Sequence, residues 1–328
     1  MSEKERDQGR GECATAVKQY KMAKKLLLVD VDCGVDDAQA IMMALASPNV
    51  EILGITCCFG NASIENVCRN VLRILSVCDR TEIPVFRGAS DSLLGESSHS
   101  FLHFGRDGLG DVPDPDSPGL ENLQGENAVQ ALLRIVSEHV GQISLVATGP
   151  LTNLALAVKL DPTFPQKLKH LYIMGGNMDG TGNRTVCAEF NFSLDPEAAY
   201  IVLNQFSCPT YIATLQFTYN NSLSMDFFEA LVNQNTLKAQ FMKKITSQWS
   251  HNKSAFVSYD SYAMAAAIDE SVITENLRCG VTVELSGQLT RGMLVLDMND
   301  DKKKKNKVFL MKSCDLEKFK KMLMLALQ

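Results

Sequence analysis

The chain has 328 residues, enough for one large domain or two small ones. Its 32 basic and 38 acidic residues leave a net charge of −6, which argues against nucleic acid as the main partner, because phosphate binding needs a basic face. Apolar residues make 45% and charged residues 21%, the balance of a soluble globular protein. No apolar run reaches the roughly 18 to 20 residues of a membrane span, so no membrane partner is expected.

Residues 1–22 mix acids with bases and lack an apolar centre, so they read as a mobile tail rather than a signal or transit peptide. Residues 23–328 then read as one domain. The ten cysteines include no C-x-x-C pair, and several lie inside apolar runs. They read as reduced, buried thiols of a cytoplasmic protein.

The run "KLLLV" (25–29) is a predicted buried strand, 36–46 a helix and 50–56 the next strand. Ile64, Val67, Cys68, Val71, Leu72 and Leu75 recur at helical spacing. A third strand is expected at 83–86. Residues 87–125 are rich in Gly, Ser, Asp and Pro, and a loop of this length is usually functional or disordered. Beyond it the spacing predicts a helix at 126–139, strand 142–148, helix 151–159, strand 170–176, helix 195–204 and strand 209–214. Alternation of this kind implies parallel strands joined by helical crossovers, with both sheet faces buried. "GVTVEL", "GMLVLD" and "KVFLM" then read as an antiparallel meander, with the lysine run of 302–305 in a solvated hairpin loop. An amphipathic helix is expected at 315–327, and there is no internal repeat. The expected fold is α/β: an open, mostly parallel sheet flanked by helices, with a C-terminal antiparallel extension.

Four acids, Asp30, Asp32, Asp36 and Asp37, fall within eight positions in "DVDCGVDD", where the first strand meets the first helix. A helix N-terminus welcomes one or two acids. Four like charges repel and raise one another's pKa, and a bound cation resolves the conflict. Oxygen ligands favour Ca²⁺ or Mg²⁺, and Cys33 is the one soft donor nearby. On spacing alone, the same "DxD" fits a Mg²⁺ phosphatase of the haloacid dehalogenase type.

Other strand ends carry polar loops. These are "GITCCFGNAS" with Asn61, "ATGPLTNLALA" with Thr148, and "GNMDGTGNRTVCAEFNFSLDPEAA" with Asn183, Glu189 and Asn191. Ligand sites of parallel sheets lie beyond the carboxyl ends of the strands, so these groups converge on a pocket suited to a polyol. Taken in order, "DVDCGVDD", "GN", "TGPLTN" and "MGG…GN…AEFN…DPEAA" resemble the inosine-uridine-preferring nucleoside hydrolases from about residue 25 onward.

The resemblance implies a Ca²⁺-dependent enzyme that splits ribonucleosides into ribose and free base. Asp32, Asp37, Asp260 and the Thr148 carbonyl would hold the ion, and Asp32 would be general base on a bound water. Asp36 and Asn191 would bind the ribose diol, and Asn183 and Glu189 the 5′-hydroxyl. Asn61 would steady the reacting face, and Asp30 would orient a ligand from behind. A homodimer or homotetramer is implied, with a role in nucleoside catabolism or purine and pyrimidine salvage.

Some positions depart from the family pattern. Tyr259 stands where many members have histidine, and a tyrosine near pKa about 10 is a weaker acid than a histidine near about 6.5. It either contacts the base or only packs. His103, in "HFGRDGLG" with an extra Phe104, either reaches the base or faces solvent, and solvent or a loop contact is favoured. Trp249 either stacks on the base or packs a helix, and His251 is a further candidate acid. Val31 and Cys33 replace the usual threonine and proline. The Tyr259 exchange keeps open a nucleoside- or ribose-binding protein without turnover.

Overall fold

The computed structural model describes residues 24–95, 103–112, 114–115, 117–248, 254–298 and 307–328. The N-terminal tail, His99, Trp249, His251 and the lysine run lie outside the described residues.

The expected order of elements holds through the first two-thirds of the chain. Strand β1 is Lys25–Val31, helix α1 Val35–Ala46, β2 Val50–Cys57, α2 Ile64–Val77 and β3 Val85–Arg87. After the long loop come α3 (Ala128–Glu138), β4 (Ile143–Ala147), α4 (Thr152–Leu160), the short α5 (Phe164–Lys167) and β5 (His170–Met174). Next are α6 (Phe190–Leu194), α7 (Pro196–Gln205) and β6 (Thr210–Ala213). The sequence reading leaves the following stretch unassigned, and it holds α8 (Leu215–Asn220), α9 (Met225–Val232), α10 (Leu237–Ile245) and α11 (Tyr259–Ile268). Strands β7 (Ile273–Val283), β8 (Leu294–Asp297) and β9 (Lys307–Cys314) and helix α12 (Leu316–Ala326) complete the chain.

The strands form one nine-stranded sheet in the order β3-β2-β1-β4-β5-β6-β9-β7-β8. Strands β1 to β6 pair in parallel, and β9 joins β6 in parallel. Only β7 pairs antiparallel, with β8 and β9. The last three strands are therefore not a meander in chain order, because β9 inserts between β6 and β7. Burial explains the insertion: Leu310 and Met311 of β9 are fully buried on opposite faces, as an interior strand requires. Edge strand β8 is half-buried from Val295 to Asp297. Strand β7 starts earlier than expected because Thr274, Glu275, Asn276 and Arg278 are exposed and hide its apolar period.

Alternation of side chains across the sheet divides the core in two. Leu27, Val29 and Val31 join the cluster under α1, α2, α11 and α12, whereas Leu28 joins the one under α3, α4 and α7. The chain leaves β1 toward β2 and β3, and leaves β4 toward β5 and β6, so β1 and β4 flank a switch point. A crevice opens at such a point beyond the carboxyl ends of the strands. Leu145 sits fully buried in β4, far from solvent. Leu145→Ala should lower stability by about 2–5 kcal/mol, read as a lower denaturation midpoint with unchanged m-value. An unchanged midpoint would contradict this two-faced packing.

Candidate active site

The acids gather at that crevice. Asp32 follows β1, and Asp36 and Asp37 occupy the first turn of α1. Asp260 enters from the first turn of α11, which packs beside α1. One carboxylate oxygen from each of Asp36, Asp37 and Asp260 lies within 4.8 Å of the others. Asp37 is clamped by Thr148, whose Oγ1 donates to its Oδ1 at 2.6 Å, and by the Gly34 N–H to its Oδ2 at 2.8 Å. The Asn61 N–H donates to Asp32 Oδ2 at 2.8 Å. The other oxygen of Asp32, Oδ1, is buried without any hydrogen-bond partner.

Burial, then the neighbouring Asp37 and Asp36 charges, push Asp32 well above the usual carboxylate range. Asp36 rises to about 8, through burial and then Asp37. Burial raises Asp37 despite its hydrogen bonds, and burial with Asp36, Asp37 and Asp32 raises Asp260 strongly. Two helix N-termini face the cluster, but each contributes only about 0.3–1 kcal/mol, up to ~2 when partly buried. Burying one charge costs several kcal/mol, so the dipoles cannot hold four anions. An orphaned buried oxygen beside crowded carboxylates and a backbone carbonyl fits a hard divalent cation. Cys33 is not among the groups whose donor atoms gather here, and burial and then the adjacent Asp37 and Asp32 push its thiol pKa well up.

Asp30 has other partners. Its Oδ1 accepts from Thr56 Oγ1 at 2.5 Å and Asn153 Nδ2 at 2.8 Å, and burial raises its pKa to about 7. It therefore braces the junction of β1, β2 and α4 and bonds to neither Asp32 nor Asp37. Close packing around Asp32 demands glycine nearby: a Cβ at Gly60 would sit 2.1 Å from Asp32 Oδ2.

A cavity of about 220 Å³ opens above the acids. Asp36, Asn61, Thr148, Asn183, Glu189, Asn191, Tyr259 and Asp260 all line it. Asn191 Nδ2 donates to the Thr148 carbonyl at 2.7 Å and to the Met174 carbonyl at 3.1 Å, which leaves its buried Oδ1 unpaired. Glu189 caps α6, accepting from Asn191 N and Gly176 N at 2.8 Å each, and burial lifts its pKa to about 7. Asn183 Oδ1 accepts from Phe190 N at 2.9 Å.

The opposite wall is aromatic. His103 and Phe104 meet edge to face with ring centroids 4.6 Å apart, and both line the cavity. His103 is half-buried and in contact with its loop neighbour Phe104, which is itself buried against Gly34. Tyr259 meets Tyr219 at 5.9 Å, and burial, then the Tyr219 ring and hydroxyl, raise its pKa above the ordinary tyrosine value. Tyr219 has no signal in the sequence, because α8 carries it in from a distant stretch.

This fold and this site define a parallel-sheet protein with an acidic, metal-fitting centre at its switch point. The family profile described as inosine-uridine preferring nucleoside hydrolase matches residues 27–321. The chain is 35% identical over 306 residues to an inosine-uridine preferring nucleoside hydrolase of Leishmania major, covering 91% of this chain and 95% of that one. It is 36% identical over 278 residues to a pyrimidine-specific ribonucleoside hydrolase of Escherichia coli, covering 83% and 88%. A solved inosine-guanosine nucleoside hydrolase superposes with a TM-score of 0.87 at 31% identity, covering 93% and 99%. The chain belongs to the inosine-uridine preferring nucleoside hydrolase family, enzymes that act on N-glycosyl bonds. The phosphatase alternative falls with that membership.

Carboxylates raised in the folded state bind more protons than in the unfolded chain, so stability falls as pH rises from about 4 to about 8. Metal-free protein should therefore melt at progressively lower temperature across that window, and Ca²⁺ should flatten the loss. Thermal melting in chelator and in Ca²⁺ checks this; identical curves at pH 7.5 would contradict a cation site.

Proposed function

We propose that the chain is a Ca²⁺-dependent ribonucleoside hydrolase that releases ribose and free base. The observation that carries this reading is the buried, unpartnered Asp32 Oδ1 beside a cavity lined with polyol-binding groups. Asp32, Asp37, Asp260 and the Thr148 carbonyl would hold Ca²⁺, which when bound supplies the charge that keeps these acids ionised, fixes the ribose diol and acidifies a water.

Asp32 then takes the proton of the attacking water at Oδ1, while the Asn61 N–H on Oδ2 holds the carboxylate in orientation. Asp36 and the free Oδ1 of Asn191 accept from the 2′- and 3′-hydroxyls. Asn183 and Glu189 hold the 5′-hydroxyl. As the glycosidic bond breaks, positive charge builds at C1′ and the ring oxygen, and the surrounding carboxylates favour it. The base lies against His103, Phe104, Tyr219 and Tyr259. Tyr259, with its raised pKa, stays neutral and serves as a hydrogen-bond donor rather than as a strong acid. The relatives' names span purine and pyrimidine preferences, so this wall is the part proposed to set base choice.

We further take residues 23–328 as one domain, supported by the continuous sheet from β1 to β9. A cytoplasmic homodimer or homotetramer in nucleoside catabolism completes the proposal. The burial of Cys33, Cys57, Cys58 and Cys68 in the core supports reduced thiols in a reducing compartment, and light scattering checks the assembly.

Inosine, uridine, cytidine, adenosine and guanosine should be assayed for ribose release with Ca²⁺ and with chelator. At least one should turn over, and only with the ion. Asp32→Asn should lower kcat by about 10²- to 10⁴-fold. Undiminished release in chelator, or by Asp32→Asn, would contradict the proposal.

A further inference from the structure

Residues 103–112, described within the long loop, form a tight knot. Asp107 Oδ1 accepts from Leu109 N at 2.7 Å and Asp111 N at 2.9 Å. Asp111 Oδ1 returns the favour to Arg106 N at 2.7 Å and Asp107 N at 3.0 Å. Gly110 N closes the ring onto the Phe104 carbonyl at 2.7 Å. These bonds hold the knot's shape but say nothing of where it sits.

Helix α2 decides where it sits. Asn70, 2% exposed, donates from Nδ2 to the Cys33 carbonyl at 2.9 Å and to the Asp107 carbonyl at 2.7 Å. One turn on, Arg73 pairs with Asp114 at 3.2 Å and donates to the Val112 carbonyl at 3.3 Å. Cys33 lies between Asp32 and Gly34, and Gly34 in turn donates to Asp37. One buried amide thus joins the peptide of the acidic seam to the segment that carries His103 and Phe104. The approach is close: Gly108 has φ +82°, and a Cβ there would lie 3.2 Å from Asn70 Nδ2.

We propose that Asn70 is a positioning residue for the base end of the cavity, resting on the reading that this cavity takes a nucleoside. Both amide hydrogens are used, so losing them takes the donor from the buried Cys33 carbonyl and from the part-buried Asp107 carbonyl. Asn70 bonds to the Cys33 and Asp107 carbonyls and not to the ribose-side groups: Asp36 comes from α1, Asn183 and Glu189 from the segment between β5 and α6, and Asn191 from α6 itself. Loss of the bridge should loosen the base wall and spare the sugar end.

The test uses the full chain with Ca²⁺. Asn70→Ala should speed amide exchange in 103–112 by about tenfold or more, the scale of an unpaired buried group, with α11 unchanged. KM for a nucleoside should rise about tenfold while the inhibition constant for free ribose moves less than about twofold. If Asn70→Ala does not fold, Gly108→Ala breaks the same bridge from the loop side and should give the same split. Unchanged exchange in 103–112 would overturn the proposal, as would a parallel rise of nucleoside KM and ribose inhibition constant. If the wild-type chain turns over no nucleoside, the hydrolase reading fails, and the exchange measurement still judges Asn70.

Discussion

Burying several like-charged carboxylates in one small volume is the constraint on which the rest of this protein depends. Asp32, Asp37 and Asp260 are each almost inaccessible to water, and no lysine or arginine lines the cavity among the described residues. Such a cluster is unfavourable unless protons or a cation neutralise it. The fold brings it about by joining β1 and β4 at the switch point and aiming the N-termini of α1 and α11 at one spot. Even the glycines follow from it. Gly60 and Gly149 flank Asp32 so closely that a Cβ at Gly149 would lie 2.9 Å from the Asp32 Cβ.

From this centre the cavity divides into two ends of different character. One end is polar and tied to the sheet. Asn191 is fixed by two backbone carbonyls, and Glu189 by the first backbone amides of α6. Preorganised groups of this kind lose little entropy on binding. The other end is aromatic and stands on the long loop and on helices α8 and α11, which come from well-separated parts of the chain.

Much of this was legible in the sequence because it is local. The apolar strands, the helical periods and the acids of "DVDCGVDD" all sit within short windows, and their place at a sheet edge follows from βα alternation alone. The parts that were hidden are long-range. The hold on Asp30 is one: Asn153 reaches its carboxylate across 123 positions. Asn70 and Tyr219 carry no motif. Strand β9 reads as the end of a meander because strand pairing order is set by burial on both faces, not by hydrophobicity along the chain. The place of His103 on the cavity wall is hidden for the same reason, since it depends on the packing of Phe104 on Gly34.

The central claim is that the acidic seam is a cation site that holds protons when empty. Calorimetric titration of Ca²⁺ into metal-free protein at pH 7.5, repeated in buffers of different ionisation enthalpy, tests it most directly. The account predicts about one ion bound per chain with net proton release, since the raised carboxylates must ionise to bind it. Binding without proton release, or no binding at all, would contradict it.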